Sequence, residues 1–489
     1  MKPGRLLSMF CAALAASCVQ SGSVNAQTAS PPAIAAPSAA KKPNIIYIMA
    51  DDLGWKDVGY RGSDIQTPYL DMLAKTGATL DQFYVQPMCT PTRAAFMTGR
   101  YPLRYGLQTL VIPASSSYGL PTDEWLLPQV LKQVGYTNVI LGKWHLGHAK
   151  REFWPMQRGF DYQYGAQVGE IDYFTRKIGD MTDWYKNNKV LSEKGYVTEL
   201  LGEEAVRVIG KHDTAKPLFM YLAFTAPHTP FQAPQQYLDR YKNIADPNRR
   251  AYAAMISAMD DQIGKVLGAL VKRNMRENTI IVFHSDNGGN KSALLAGETE
   301  VKGDLPADNG PYRGGKGDLY EGGTRVASLI NWPGKIKPGT VVDQMVHVVD
   351  YYPTLAKLAG ASVDKAKPLD GLDVWETISD GKPSPRTEVV YNVELFRGAV
   401  RKGDWKLVWR TTLPSTVELF NLAQDPSEKV NLADRNPEKV KELQTRVDGL
   451  AKEMSKSMLM SELFQGIVKT VKGSPPVLPN EETFYGQFD

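Results

Sequence analysis

Two short apolar runs in this chain end in acids. Asn44-Ile45-Ile46-Tyr47-Ile48-Met49-Ala50 runs into Asp51-Asp52, and Thr279-Ile280-Ile281-Val282-Phe283 into His284-Ser285-Asp286-Asn287. Three carboxylates and an amide make a hard, all-oxygen donor set that suits Ca²⁺ or Mg²⁺ and suits zinc poorly. One acidic pair alone would as readily cap the following helix. Two sets after two such runs favour a bound cation.

A second signal lies at Cys89-Thr90-Pro91-Thr92-Arg93. The sequence has three cysteines, and Cys11 and Cys18 fall in a leader expected to be removed. A single remaining thiol makes no internal disulfide. Pro91 suits the first turn of a helix, so Cys89 is expected at a helix N-terminus. Free N–H groups and the positive end of the helix dipole there attract anions and activate a thiol or its derivative. Arg93, one turn on, adds a fixed charge. A lone cysteine is otherwise commonly inert core.

Cations gather in three further segments: Gly142-Lys143-Trp144-His145-Leu146-Gly147-His148, Ala226-Pro227-His228-Thr229-Pro230 and Gly315-Lys316-Gly317. Lysines hold an oxyanion as point charges, and histidines move protons near neutral pH. Lys143, Lys316, Arg93, His145 and His228 together would equip a site for a small oxyanion. Taken singly, each is more often a solvated or structural group. His148 and His284 read as structural or as supports behind the site, and Asp350 as a helix cap.

The elements that must position these residues form an α/β pattern. Continuous apolar runs at 44–50, 137–141, 216–224 and 279–283 suit strands buried on both faces of a parallel sheet. Helical patterns at 68–75, 126–133 and 250–273 lie between them. Ligands in such sheets gather beyond the carboxyl ends of the strands. After about residue 390 the texture changes. Arg397–Arg401 and Asp404–Trp409 flank Lys402-Gly403, a hairpin pattern, and Val417–Phe420 adds a strand. Asn436 to Met454 reads as one helix capped by Asn436, with Pro437 in its first turn. The expected organisation is a leader at 1–26, an Ala/Pro/Ser-rich spacer at 27–42, a catalytic domain at 43–390 and a smaller antiparallel sheet plus helix at 391–489. The stretch from Lys472 reads as extended.

Lys2, Arg5, the apolar stretch Leu6 to Val19 and Val24-Asn25-Ala26 have the form of a secretory signal. Lipid attachment at Cys18 is the competing reading. The leader carries two basic and no acidic residues, so 57 basic and 53 acidic become 55 and 53, a net of +2. That balance points to neither nucleic acid nor an acidic membrane surface. No later stretch is apolar enough to span a bilayer.

Over most of residues 43 to 435 the chain resembles the type I sulfatases of the alkaline phosphatase superfamily, in particular the arylsulfatase B (N-acetylgalactosamine 4-sulfatase) branch. Cys89-Thr90-Pro91-Thr92-Arg93 matches the signature whose cysteine becomes Cα-formylglycine. Gly135-Tyr136 through Gly142-Lys143-Trp144-His145 resembles the second signature, with Asn138 where Ser or Thr is common. Ala50-Asp51-Asp52-Leu53-Gly54-Trp55, Ser285 to Gly289, Gly322-Gly323-Thr324-Arg325 and Glu418 to Leu422 are further landmarks.

The resemblance implies an alkaline phosphatase-like fold, with a large, mainly parallel mixed sheet sandwiched by helices. It implies Ca²⁺ on Asp51, Asp52, Asp286, Asn287 and the modified Cys89, with Mg²⁺ as the other hard cation. The hydrated aldehyde of residue 89 would attack sulfur. Lys143 and Lys316 would hold sulfate oxygens, His228 with Lys316 would assist the leaving oxygen, His145 would take a proton in sulfate release, and Arg93 would orient residue 89. A formylglycine-generating enzyme would be the maturation partner. The expected substrate is a sulfated galactose or N-acetylgalactosamine unit, or an aryl sulfate, met in the periplasm or at the cell surface. Two other readings are a phosphonate monoester or phosphodiester hydrolase of the same superfamily and a non-catalytic binder of sulfated glycans. Candidate pocket walls are 108–118, 168–176 and 297–311.

Overall fold

The computed structural model describes residues 41–295, 305–411 and 414–471. The leader, the spacer, Cys18 and the stretch from Lys472 lie outside the described residues. From Lys42 onward the described residues form one compact unit.

Its frame is a ten-stranded sheet. The Asn44–Ala50 strand runs through the middle, parallel to Leu218–Ala223 on one side and Thr279–Ser285 on the other. Thr137–Gly142 extends the parallel set beyond Leu218–Ala223, and Tyr162–Gly165 follows it. Antiparallel pairing begins where Ser328–Asn331 joins Thr279–Ser285, and again at Tyr185–Lys186. This is the mixed, mainly parallel sheet that the sequence leads one to expect.

Both faces are covered, so the strands need no polar alternation. Along the central strand, Ile45, Tyr47 and Met49 enter one core with Phe96, Leu127 and Tyr351. Ile46 and Ile48 enter the other with Leu201, Met255 and Met259. The second face is closed chiefly by the packed helices Val197–Lys211 and Pro247–Lys272. In the latter, Pro247 occupies the first turn and the Asp246 side chain accepts from Arg249 N, an N-cap as sequence preference describes it. No helix of the described residues is long and apolar enough to cross a membrane.

The last part is a four-stranded antiparallel sheet of Glu388–Glu394, Arg397–Lys402, Trp405–Arg410 and Thr416–Asn421. Gly403, at φ 56°, makes the expected turn. The helix Pro437–Glu453 packs on it. Asn436 is its N-terminal neighbour, but its amide donates to Leu432 O and caps nothing. Asp350 also departs from a simple cap. It sits three residues inside its turn, accepts from His347 N, and is held by Arg386 in a buried ion pair.

Candidate active site

Strand register assembles the site. Ala50 pairs with Ser285, so Asp51 and Asp286 leave adjacent parallel strands at one level. Ala223 pairs with Met49 and with Gly142, which brings Lys143 and the 226–230 turn to the same edge. Gly142 has no alternative. At φ 106° a side-chain carbon there would lie 1.8 Å from Ala223 O, so only glycine lets Lys143 turn over the strand end.

Cys89 begins the Cys89–Thr98 helix, and Met88 before it offers no side-chain cap. The helix start faces the acids. Cys89 Sγ lies 3.4 Å from Asp51 Oδ1. One donor atom each from Asp51, Asp52, Cys89 and Asp286 falls within 4.8 Å of the others, all buried. Asn287 joins them through Nδ2, which donates to Asp52 Oδ1 at 2.8 Å. Its Oδ1 is buried with no hydrogen-bond partner in the protein. A buried acceptor without a partner is costly, and a hard cation is the partner this donor set suits. The cluster therefore fits a metal.

Three cations surround the three carboxylates. Arg93 Nη2 lies 2.7 Å from Asp286 Oδ2 and 3.6 Å from Asp51 Oδ2. Lys143 Nζ is 2.8 Å from Asp51 Oδ2, and Lys316 Nζ is 2.9 Å from Asp52 Oδ2. Burial works to raise the Asp51 pKa, but Lys143, His228, Arg93 and Lys316 overcome it and hold the carboxyl well below its usual range. Asp286 goes the other way. Burial and the neighbouring Asp51 push it up to about 7. Both lysines stay charged despite burial, because Asp51 and Asp52 face them.

The thiol of Cys89 is not activated. Burial, then Asp286 and Asp51, raise its pKa well above normal. The helix N-terminus is expected to activate a thiol or its derivative; for the thiol, burial, with Asp286 and Asp51, outweighs a half-charge spread over a helix end. The helix end remains suited to a derivative of the residue.

The histidines have assignable tautomers. His228 Nδ1 lies 2.7 Å from Thr229 O, so Nδ1 carries the proton, and Nε2 accepts from Lys316 Nζ at 3.1 Å. His145 Nε2 lies 3.2 Å from Ile112 O, which places its proton there and leaves Nδ1, buried and unpartnered, as a free base. Burial, with Lys143 and Arg93, keeps His145 neutral to well below its ordinary pKa. In a histidine NMR titration, the His145 ring is expected to show no proton uptake between pH 5.5 and 8. A midpoint near the ordinary value of about 6.5 would refute this assignment.

Other expected residues fall differently. His284 Nε2 meets Tyr47 OH at 2.6 Å, and burial lowers its pKa to about 3. His148 Nε2 meets Ala114 O. Both rings are buried and hydrogen-bonded within the fold. Of the pocket walls, 108–118 supplies Ile112 O to His145. The 168–176 segment presses Gly169 against Lys143, whose Cγ would be 2.3 Å from any Cβ there. Pro306 and Ala307 line a small cavity beside Asp52, while residues 296–304 of the third wall lie outside the described residues.

Sequence reasoning missed the supports. Asp183 is fully buried and accepts from Gln167, Val168 and Gly169 N, fixing the loop against Lys143. Thr90 Oγ1 ties Cys89's helix to His145 O and Ile112 N. Tyr221 OH accepts from Arg93. Thr90 lies within the Cys89 motif without a role read for it, and no motif marks Asp183 or Tyr221; each matters through a contact distant in sequence.

This geometry has known counterparts. Residues 43–361 match the Sulfatase family profile, and residues 315–457 match the C-terminal profile described as N-sulphoglucosamine sulphohydrolase. Arylsulfatase J of Mus musculus is 36% identical over 88% of this chain and 79% of its own length. N-acetylgalactosamine-6-sulfatase of Mus musculus is 34% identical over 77% of this chain and 74% of its own. The solved structure of Ps i-CgsB in complex with k-i-k-neocarrahexaose has a TM-score of 0.78 at 32% identity, covering 91% of this chain and 100% of that one. A buried carboxylate–cysteine cluster at the carboxyl edge of the sheet, a matching profile over most of the chain and relatives of this similarity lead to one conclusion: the chain belongs to the sulfatase family and is a sulfuric ester hydrolase.

Proposed function

We propose that this sulfatase is exported, carries a formylglycine made from Cys89 by a formylglycine-generating enzyme, binds Ca²⁺, and desulfates galactose- or N-acetylgalactosamine-type carbohydrates. The observation that carries the reading is the meeting of Cys89, Asp51, Asp52, Asp286 and Asn287 in one buried cluster ringed by Arg93, Lys143 and Lys316. The N-acetylgalactosamine-6-sulfatases among the relatives, and the neocarrahexaose in the Ps i-CgsB structure, support the carbohydrate class. The leader pattern supports export.

Asp51, Asp52, Asp286 and Asn287 would hold the cation, with residue 89 as a further ligand. Bound together, the cation and the aldehyde-derived side chain supply an oxygen nucleophile and neutralise charge on the sulfate. The chain's own groups do the rest. Lys143 and Lys316 hold sulfate oxygens as charge redistributes. Lys316, paired with His228 Nε2, delivers a proton toward the departing oxygen. His145, with Nδ1 unpartnered, accepts a proton from residue 89. Arg93 fixes Asp51 and Asp286 and, with Lys143 and His145, orients residue 89.

Protein from the native host tests this reading. The tryptic peptide Thr76 to Arg93 is expected to carry an aldehyde in place of the thiol. Sulfate release from 4-sulfated and 6-sulfated N-acetylgalactosamine and galactose is expected to require Ca²⁺ after chelation and to exceed turnover of an aryl phosphodiester. An intact thiol with undiminished sulfate release would sink the formylglycine part. Preference for the phosphodiester would sink the substrate class.

A further inference from the structure

Lys316 is a demanding residue to hold. It stands between Gly315 and Gly317 in a loop with almost no side chains, yet its ammonium must stay within reach of both Asp52 and His228. Within the catalytic part, backbone bonds from Lys316 N to Gly289 O and from Gly317 N to Pro87 O guide the loop. Asn309 Nδ2 adds a bond to Gly314 O, and Tyr84 OH one to Glu321 Oε2. Further anchors come from the C-terminal sheet and the loop after it.

Arg397, the first residue of its strand, donates Nη1 to Gly317 O at 2.5 Å and Nε to Glu394 Oε1 at 2.5 Å. Glu394 is buried, so it presents the guanidinium in one orientation. Farther along the loop, Glu428 Oε2 accepts from Glu321 N, and Lys406 bridges Glu321 Oε1 at 3.0 Å and Glu428 Oε1 at 2.8 Å, fully buried. Breaking such an enclosed ion cluster is expensive, which gives it a fixed geometry. The 313–325 segment is therefore gripped at its glycine turn and again at Glu321 from both sides, by the catalytic part and by the C-terminal part.

We propose that Arg397, oriented by Glu394, is a positioning residue for Lys316: through the Gly317 carbonyl, the C-terminal sheet sets where the ammonium lies on the leaving-oxygen side of the site. The inference rests on the leaving-group role given to Lys316 above. It explains why the small sheet meets the catalytic part at this glycine turn and not at its surface alone. Arg397 touches no reacting atom; misplacing a catalytic group by about 1 Å costs up to about a hundredfold in rate.

The test uses matured full-length enzyme and two esters, phenyl sulfate with a poor leaving group and 4-nitrophenyl sulfate with a good one. Arg397→Gln is expected to lower kcat on phenyl sulfate by about tenfold and on 4-nitrophenyl sulfate by less than about threefold, since less proton donation is needed there. KM is expected to hold, and Arg397→Lys, which keeps a donor, is expected to recover much of the loss. In a Lys316→Ala background, Arg397→Gln is expected to add nothing. Equal losses on both esters, or losses that multiply in the double variant, would overturn the proposal. If Arg397→Gln does not fold, Glu394→Gln is read by the same leaving-group ratio and the same cycle. A Lys316→Ala variant without leaving-group dependence would instead overturn the role of Lys316, which separates the two failures.

Discussion

Cys89→Ala is expected to lower kcat for sulfate release by about 10⁴- to 10⁶-fold, the loss typical of removing a nucleophile, while the protein stays folded. Cys89 is completely buried at the start of a helix, and losing one sulfur atom there costs on the order of 1 kcal/mol. The activity loss would therefore be chemical. Sulfate released over time, measured beside the melting temperature, gives the answer. Activity within tenfold of wild type would place the nucleophile elsewhere. The raised pKa of the native thiol adds a second expectation. Protein with unconverted Cys89 should be as inactive as the alanine variant, and specific activity should follow the aldehyde fraction seen by mass spectrometry.

Arg93→Met should be the most damaging substitution for stability in the site. The guanidinium is fully buried and lies against Asp286 at 2.7 Å, Asp51 at 3.6 Å and Tyr221 OH at 3.2 Å. Methionine fills much of the volume and none of the charge. Two buried carboxylates would lose their shared partner, a change that costs about 3–5 kcal/mol. A bound cation compensates the same two carboxylates, so the deficit in denaturant melts should be smaller with Ca²⁺ than with chelator. A loss under about 1 kcal/mol with chelator present would show that solvent or relaxation replaces Arg93, contrary to its enclosure. Activity should fall with it, since Asp51 and Asp286 would no longer be held level.

Much of this was legible in the chain. Apolar runs such as 44–50 and 279–283 are strands because β-branched residues without polar alternation fit a sheet covered on both faces. The acids after them lie at a strand end for the same reason. The helix read at 250–273 runs from Pro247 to Lys272, and its start at Asp246-Pro247, where a short acid and a fixed φ favour the first turn, lies earlier than the apolar pattern put it. The Cys89 motif and the chemistry-bearing Lys143, His145, His228 and Lys316 are identifiable by residue type and neighbours.

Other features needed the folded chain. Asp51 and Asp286 have like sequences around them, yet one carboxyl is held well below its usual range and the other is pushed up to about 7. The difference lies in the surroundings: Lys143 and Lys316 join Arg93 in lowering Asp51, whereas burial and the neighbouring Asp51 raise Asp286. His145 is a free base because Ile112 O sits at its other nitrogen. Asp183 and Arg397 act on the site only through loops far from them in sequence. Local pattern determined the elements and the kinds of chemistry available, because backbone preference and hydrophobic period act over a few residues. Protonation, charge balance and the hold on each catalytic group were decided by tertiary structure alone, because Coulomb energies and hydrogen bonds depend on distances between residues that the sequence keeps tens to hundreds of positions apart.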